Sequence, residues 1–496
     1  MKKIVFLAVL FTCVLWSQDK KEVVKPIPEP KSFVTSHQIT AGGKLIKYKA
    51  IAGETYLKNA KGEATAAMWS VSYIKEGADS RRPVTFVFNG GPGSASVWLH
   101  MGLFGPKLVK VDSDAKQDDG AAPFAVVANS KSLMDLTDLV FIDPVGTGYS
   151  QVIGKGKEKD FWGLNEDAAS VAQFIRLWIT QYKRWNAPKY MAGESFGTTR
   201  AAAVTQALEG SGQNVAMNGL ILISQALDYD GSTSIPNNIT SYLTYLPSMA
   251  ATAWYHKKAG QGKSLEAFVQ ESRDFTYNEY APALYKGALL TTSERETLAQ
   301  KLAYFTGLDK AYIHRSDLRV LMPRFQKKLL EDQGMAIGRL DGRFMGDEID
   351  DVADRPTLGD PSSYQIGAAY TAALNQYLLH DLKVDMDRPY LTSNGQIGQK
   401  WRWRTRPDGS YWEPTPVNVS DRLGETMRRN TQMKVLVASG YYDLITPFFD
   451  AEYTFNRNGI VKERVSMTYY EGGHMMYTHE PDFIKLADDI RMFLEK

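Results

Sequence analysis

The feature that most constrains this chain is a G-x-S-x-G motif, Gly193-Glu194-Ser195-Phe196-Gly197. A short apolar run precedes the motif and an Ala-rich, helix-favouring run follows it. Alone, the motif is common and also fits a plain Gly/Ser turn. Between a strand and a helix, it predicts a sharp, strained turn that lifts the Ser195 hydroxyl above a sheet. Side chains at Gly193 and Gly197 would collide where the strand and the helix cross.

A helix that begins after Ser195 directs its free N–H groups and the positive end of its dipole at this turn. A negatively charged oxygen forming there would be stabilised, with the Phe196 N–H as one donor. Ser195 is therefore the candidate nucleophile.

The composition is that of a globular protein and points to no nucleic-acid or membrane-surface partner. The chain has 496 residues, of which 44% are hydrophobic and 23% are charged. This length allows a large domain with an insertion, or two to three domains. The formal charge of +2 falls to zero if the segment that carries Lys2 and Lys3 is removed. We expect no nucleic acid or anionic membrane as a partner.

Residues 1–17 have the pattern of a secretory signal peptide, with two lysines and then an apolar run too short to span a bilayer comfortably. We predict cleavage after Ser17, export to the periplasm or the extracellular space, and a flexible Lys-, Glu- and Pro-rich leader over 18–36. The only cysteine, Cys13, lies in this segment. Lipoprotein anchoring at Cys13 is an alternative that Thr12 argues against. We expect no membrane span and a core stabilised without disulfides.

The body of the chain alternates buried apolar runs with helical segments. Antiparallel hairpins are predicted around residues 45–51 and 66–74. Buried strands are predicted at 83–88, in the first part of 132–150, and at 219–224, 433–440 and 465–470. Helices are predicted over 161–182 and 481–494. This order predicts an α/β fold, with a mostly parallel central sheet and helices on both faces.

The alternation breaks between residues 236 and 424, which we interpret as an inserted cap region that covers the site and excludes water. The hydrolase-like core then consists of residues 37–235 and 425–496. Within the cap, helices are predicted at 249–259 and 292–304, and a hairpin is predicted at 401–412.

The acidic loop Asp341–Asp354 raises the alternative of a cation site. Its spacing does not match a Ca²⁺-binding loop, and a solvated surface is the preferred interpretation. No metal and no cofactor are expected.

Two further polar residues each follow a predicted strand. In a parallel sheet, loops after different strands meet at one edge, so Asp443 and His474 are expected beside Ser195. The chain order Ser, Asp, His is the one this architecture needs for a hydrolase triad. His474 would take the Ser195 proton during attack and return it to the leaving group, while Asp443 fixes the imidazole tautomer.

Other acids and histidines are weaker candidates. Asp143 is expected to cap and order its own loop, and Asp450 is a rival acid placed on a helix. His479 lies nearer the start of the last helix, whereas His100 and His256 would need a different fold.

A glycine-rich loop follows the buried strand at 83–88. Glycines there let the backbone approach a ligand, and a backbone N–H from such a loop is the usual second oxyanion donor. A plain tight turn is the alternative.

As a set, five segments resemble the serine carboxypeptidases and their serine carboxypeptidase-like relatives. The segments are Asn89-Gly90-Gly91-Pro92-Gly93, Asp143 to Ser150, Gly193 to Gly197, Asp443, and Gly473-His474-Met475. The resemblance implies an α/β-hydrolase fold with a cap, peptide substrates with a free C-terminus, and release of single C-terminal residues.

The resemblance also implies roles for individual residues. It assigns the second oxyanion donor to the Gly91 N–H, binding of the substrate carboxylate to Asn89 and Glu194, and a place in the leaving-residue pocket to Met475. A carboxyl group buried beside Asn89 has a raised pKa and, when neutral, donates a hydrogen bond to a carboxylate. A purely structural Glu194, satisfied by backbone donors, is the alternative.

The sequence departs from the family pattern in three ways. Leu103 stands where a second glutamate is usual, Val87 stands where a tryptophan is usual, and the family's disulfides are absent. The leading hypothesis is an exported serine carboxypeptidase, with a serine esterase or acyltransferase of the same fold as the alternative. A catalytically silent binding protein is the third hypothesis.

Overall fold

The computed structural model describes residues 27–116, 120–210, 212, 214–404 and 416–495. The signal peptide, Cys13 and the first part of the leader lie outside the described residues, as do residues 405–412 of the predicted hairpin. In the described chain, no helix is both long enough and apolar enough to cross a membrane.

The strands form one large sheet and two small ones. In chain order they are β1 (Ser32–Ala41), β2 (Lys44–Lys58), β3 (Ala64–Lys75), β4 (Val84–Phe88), β5 (Lys107–Val109), β6 (Val126–Ala128), β7 (Asp138–Asp143), β8 (Gln151–Val152), β9 (Lys189–Ser195), β10 (Gly219–Gln225), β11 (Met335–Ile337), β12 (Met345–Asp347), β13 (Lys434–Gly440) and β14 (Val465–Tyr470). The large sheet has ten strands in the order β1-β2-β3-β7-β4-β9-β10-β13-β14, and β8 pairs with β3.

The large sheet is antiparallel at one end and parallel over the rest. Strands β1, β2 and β3 pair antiparallel, and β3 pairs antiparallel with β7. From β7 through β4, β9, β10 and β13 to β14 every pair is parallel. The predicted hairpins and the mostly parallel sheet are confirmed. The flexible leader was predicted too long, because β1 begins at Ser32.

The helices are α1 (Val97–Leu99), α2 (Leu164–Gln181), α3 (Phe196–Glu209), α4 (Ile239–Tyr255), α5 (Leu265–Phe275), α6 (Ala281–Lys286), α7 (Thr292–Thr306), α8 (Lys310–Arg315), α9 (Met322–Lys328), α10 (Pro361–Gln376), α11 (Gly395–Lys400), α12 (Ser420–Arg429), α13 (Phe448–Phe455) and α14 (Glu480–Glu495). Single π-helical turns occur at His100–Phe104, Thr276–Tyr280 and Tyr377–Asp381. Short 3₁₀ turns occur at Glu158–Asp160, Gly287–Leu289, Glu331–Gln333, Lys462–Arg464 and Met476–Thr478. The helices predicted at 161–182, 292–304 and 481–494 are confirmed within a few residues at their ends. The helix predicted at 249–259 starts ten residues earlier, since α4 begins at Ile239 and ends at Tyr255.

Helices cover both faces of the parallel strands, so these strands are apolar along their whole length. Alternate residues of β4 point to opposite faces: Val87 packs in one hydrophobic cluster, while Phe86 and Phe88 pack in another. The first cluster includes residues of α10 and α14, and the second includes residues of α2, α3 and α12.

The insertion between β10 and β13 is not one separately packed unit. Residues of α4 to α9 form a hydrophobic cluster of their own. In contrast, α10 and the turn Tyr377–Asp381 pack in one core cluster, and α12 packs in the other. The predicted boundaries of the cap at 236 and 424 stay a prediction.

The acidic loop differs from its predicted solvated surface at two positions. Asp341 is buried and pairs with Arg343 at 2.7 Å. Glu348 is buried and pairs with Lys327 at 3.4 Å. Arg343 lies two positions from Asp341, whereas Lys327 lies 21 positions from Glu348 and reaches it only when the insertion folds.

Candidate active site

Ser195 lies at the turn between β9 and α3, as the motif predicts. Its backbone has φ 59° and ψ −131°, a strained conformation for a residue with a side chain. A Cβ atom at Gly193 would lie 2.3 Å from the Gly197 carbonyl oxygen, and one at Gly197 would lie 2.8 Å from the Phe88 carbonyl oxygen. Glycine is therefore required on both sides of Ser195.

Asp443 and His474 meet above the ends of the neighbouring parallel strands β13 and β14. The His474 Nδ1 atom lies 2.8 Å from Asp443 Oδ2, and both side chains are buried. The Asp443 carboxylate also accepts hydrogen bonds from the backbone N–H groups of Ile445 and Thr446 at 2.8 and 2.9 Å. The carboxylate is thus held in one orientation toward the imidazole.

The His474 loop is connected to the strand beside Ser195. The Ser224 hydroxyl donates a hydrogen bond of 2.8 Å to the His474 carbonyl oxygen, and the adjacent Gln225 pairs with Ser195 in the sheet. Although both residues are described, no hydrogen bond joins Ser195 Oγ to the imidazole; such bonds often shorten only when substrate binds. The triad therefore stays a prediction.

The environment of His474 suits a general base. Burial lowers its pKa, but the Asp443 charge, the hydrogen bond to Asp443 and the Glu194 charge outweigh burial. The net result is a pKa above the ordinary histidine value. Asp443 therefore favours the imidazolium that forms when a serine proton is transferred.

The candidate oxyanion donors lie on the same rim. Gly91 has φ 104°, and Gly91, Ser195 and Phe196 line one cavity. A Cβ atom at the preceding Gly90 would lie 2.5 Å from the Phe196 nitrogen, so the glycine-rich loop runs directly over the start of α3. Close approach of the two backbones is what a two-donor oxyanion site needs.

Glu194 is buried directly beside Ser195 and has two side-chain partners. Asn89 Nδ2 donates to Glu194 Oε1 at 3.0 Å, and the Tyr477 hydroxyl donates to Glu194 Oε2 at 2.5 Å. Burial raises the pKa of Glu194 to about 7, although the nearby His474 charge and both hydrogen bonds lower it. The backbone-satisfied alternative for Glu194 is wrong, since these partners are side chains.

Sequence reasoning missed Tyr477. The available signal was a polar-tipped aromatic three residues after His474, in an otherwise apolar stretch. Met475, assigned to a leaving-residue pocket, is buried in the same hydrophobic cluster as Tyr477. Leu103 is also in this cluster, and its carbonyl oxygen accepts a hydrogen bond of 2.8 Å from Asn129 Nδ2.

The insertion contacts the two loops that carry the predicted acid and base, Asp443 and His474, and sequence reasoning also missed these contacts. The Arg339 carbonyl oxygen accepts from the Leu444 N–H at 3.1 Å, and the Leu340 carbonyl oxygen accepts from the His474 N–H at 2.6 Å. The Asp341 carboxylate accepts from the Gly473 N–H at 3.0 Å. These bonds join residues more than 100 positions apart, so no local pattern predicts them.

The weaker acids have other partners. Asp143 accepts hydrogen bonds from the Ser96 N–H and hydroxyl, both at 2.9 Å, and orders its loop as expected. Asp450 is buried on α13, on a helix as expected, and its carboxylate has no hydrogen-bond partner within the described residues.

The other candidate histidines also contact groups outside the predicted triad. The His100 ring lies 2.7 Å from the Tyr73 hydroxyl, and the His256 ring lies 2.7 Å from the Gly342 carbonyl oxygen. His479 contacts Asp482 at the start of the last helix, with 2.9 Å between Nδ1 and Oδ2.

A comparison with known families identifies the family of this chain. A model of the serine carboxypeptidase family matches residues 47–342, more than half of the chain. The chain belongs to the serine carboxypeptidase family. The match includes Ser195 and the segment that braces the loops, whereas Asp443 and His474 follow its end.

Individual serine carboxypeptidase relatives are distant. The pheromone-processing carboxypeptidase kex1 of Aspergillus terreus is 27% identical over 170 residues, which cover 34% of this chain and 25% of that protein. The alignment thus spans a quarter of that relative's length.

The chain is also similar to solved structures at low sequence identity. Proline iminopeptidase of Mycobacterium smegmatis is 14% identical, covers 93% of this chain and 98% of its own, and has a TM-score of 0.35. A thermostable carboxyl esterase of Bacillus coagulans is 11% identical, covers 89% of this chain and 97% of its own, and has a TM-score of 0.33. The α/β-hydrolase fold of this serine carboxypeptidase family member rests on its own mostly parallel sheet and on the turn at Ser195 between β9 and α3.

Proposed function

We propose that this protein is a serine carboxypeptidase that releases single residues from the free C-termini of peptides. The observation that carries the proposal is the position of Glu194, a buried carboxyl group directly before the candidate nucleophile. A pKa near 7 leaves much of this group neutral under mildly acidic conditions. A neutral carboxyl group donates a hydrogen bond to a substrate carboxylate, which an ionised one would repel.

Acylation begins when Ser195 Oγ attacks the scissile carbonyl carbon and His474 accepts the serine proton. The carbonyl oxygen becomes an oxyanion held by the N–H groups of Gly91 and Phe196. The C–N bond then breaks, His474 donates its proton to the leaving amine, and the C-terminal amino acid departs. Asp443 stabilises the imidazolium throughout.

Deacylation repeats these steps with water. His474 removes a proton from the attacking water, the acyl–oxygen bond to Ser195 breaks, and the serine oxygen regains a proton from the imidazolium. The shortened peptide is released with a new free carboxylate.

Asn89 and Glu194 bind the substrate carboxylate, and Met475 contributes to the pocket for the leaving residue. The signal-peptide pattern at residues 1–17 supports export to the periplasm or the extracellular space. The esterase or acyltransferase alternative shares the same acyl-enzyme and differs only in the acceptor and the pockets.

A substrate panel separates the peptidase from the esterase. N-blocked dipeptides, their C-terminal amides and simple acyl esters are incubated with the protein across pH, and released amino acid is measured. We expect rapid release from the free acids and slow release from the amides. Ester cleavage without release of a C-terminal amino acid would count against the carboxypeptidase.

Glu194→Gln is expected to remove the pH dependence of KM for dipeptide acids. In the wild type, KM rises above pH 7, by up to about tenfold per pH unit, as Glu194 loses its proton and repels the substrate carboxylate. A glutamine side chain stays neutral, so KM should remain flat through this range. KM is measured at pH values on both sides of 7. A dipeptide methyl ester, which lacks the free carboxylate, is the control substrate.

Tyr477→Phe serves as the companion variant with a different expected result. Its hydroxyl lowers the pKa of Glu194, so removing it raises that pKa further and moves the rise in KM to higher pH. Tyr280→Phe is the matched control, because Tyr280 is also buried and donates a 2.5 Å hydrogen bond, to the Leu318 carbonyl oxygen in the insertion. A wild-type KM that does not change through pH 7 would contradict the role of Glu194.

A further inference from the structure

A cavity of about 640 Å³ opens directly beside the candidate nucleophile. The core and the insertion both contribute to its wall, which includes Ser195. Five large aromatic or apolar side chains also line it: Phe196, Tyr229, Tyr245, Met322 and Trp403. The cavity is large enough for an amino-acid side chain and part of the preceding residue.

The charged groups of this cavity are unbalanced. Arg339 and Arg355 line it, and the carboxylate among its lining residues is Asp360. Within the described part of the chain, neither guanidinium forms an ion pair or a side-chain hydrogen bond. A guanidinium without a protein partner is free to bind an anion in the cavity.

Asp360 forms no ion pair with either arginine in the described chain, and two guanidinium groups against one carboxylate leave the lining with a net positive charge. The Asp360 oxygens contact other groups. They accept hydrogen bonds from the backbone N–H groups of Arg339 and Leu340 at 2.8 and 3.0 Å, and from the Ser362 hydroxyl at 2.5 Å. Asp360 therefore caps α10 and fixes the backbone that carries Arg339.

The backbone of Arg339 is held on both sides, by Asp360 and by the Leu444 N–H beside Asp443. Burial is the largest influence on the pKa of both His474 and Tyr245, and the Arg339 charge lowers both pKa values by a smaller amount. Arg339 is thus anchored at the end of the cavity nearest the reacting groups.

The cavity lies on the acyl side of the site. Among the described residues, those assigned to the substrate carboxylate and the leaving residue do not line it: Asn89, Glu194, Met475 and Tyr477. If the C-terminal residue of a peptide contacts these four residues, the residue before it must lie on the opposite side of Ser195, where the cavity opens.

We propose that this cavity selects an acidic side chain, glutamate or aspartate, in the residue that precedes the scissile bond, with Arg339 as the main specificity determinant. The inference rests on the proposed carboxypeptidase function and narrows its substrate class. The side-chain methylenes pack against the aromatic wall, and the carboxylate accepts charge-assisted hydrogen bonds from the guanidinium. Arg355 adds a second positive charge to the cavity lining.

The test compares two N-blocked dipeptides that differ only in charge, benzyloxycarbonyl-Glu-Ala and benzyloxycarbonyl-Gln-Ala. We expect the wild type to cleave the glutamate peptide with a kcat/KM about tenfold higher, the lower end of what a hydrogen bond to a charged group provides. Arg339→Gln should bring the ratio close to one, because the glutamate peptide alone loses a charged partner.

Arg315→Gln is the matched control, since Arg315 is an exposed arginine of the insertion that does not line the cavity. It should keep the wild-type ratio. Equal cleavage of both peptides by the wild type overturns the specificity proposal but not the carboxypeptidase. The specificity proposal is also overturned if Arg339→Gln lowers kcat/KM by the same factor for both peptides. The guanidinium would then act on a feature that the two peptides share.

Binding to Ser195→Ala provides a readout that does not need turnover. Calorimetry with the same two peptides should show tighter binding of the glutamate peptide, and this difference should disappear when Arg339→Gln is added. If no peptide is hydrolysed by the wild type, the proposed function fails, whereas equal binding of the two peptides overturns the specificity proposal itself.

Discussion

Replacing Ser195 with alanine is expected to lower kcat by about 10⁶-fold, a loss comparable to that seen when the nucleophile of another serine hydrolase is removed. The reason is that the acyl-enzyme cannot form without the serine oxygen, so only binding and oxyanion stabilisation remain. A fluorophosphonate probe should label the wild type and fail to label the variant. Labelling and hydrolysis of the peptide panel are measured on the same preparations.

Ser293→Ala is the control for this experiment, because Ser293 is exposed on α7 in the insertion. It should label and turn over like the wild type. Equal labelling of Ser195→Ala and the wild type would defeat the assignment of the nucleophile. An unlabelled wild type would instead support the catalytically silent binding protein.

Asp443→Asn is expected to lower kcat/KM by about 10⁴-fold, the effect of the corresponding change in a serine protease triad. An asparagine amide does not hold the imidazole in one tautomer as a carboxylate does. His474 therefore loses the tautomer in which it can accept the serine proton. Because the Asp443 charge raises the pKa of His474, its loss lowers that pKa. The acid limb of the residual activity should therefore move to lower pH.

Asp450→Asn tests the rival acid in the same assay. Its carboxylate has no hydrogen-bond partner in the described chain and lies on α13, so we expect kcat/KM to stay within a few-fold of the wild type. A larger loss for Asp450→Asn than for Asp443→Asn would reverse the assignment of the acid. Circular dichroism of each variant separates a catalytic loss from unfolding.

The parts of the site that could be predicted depend on local pattern and on strand order. The turn at Ser195 follows from two glycines between a strand and a helix, and the meeting of Asp443 with His474 follows from two loops after adjacent parallel strands. Each inference needs only a few neighbouring residues and one rule about parallel sheets.

The parts that were missed depend on contacts between distant segments. The hydroxyl of Tyr477 reaches Glu194 across 283 positions of sequence, and Leu340 reaches His474 from the insertion. Periodicity carries no information about such contacts. The first strand was missed for another reason: β1 is an edge strand whose side chains are mostly exposed, so its residues resemble a polar leader.

Three acceptors of the insertion, the carbonyl oxygens of Arg339 and Leu340 and the carboxylate of Asp341, tie its backbone to the loops that carry the predicted acid and base. Without the insertion, the N–H groups of Leu444, Gly473 and His474 would lose these partners. Redesign of the substrate pocket should therefore change outer side chains of the insertion and leave this stretch of backbone intact.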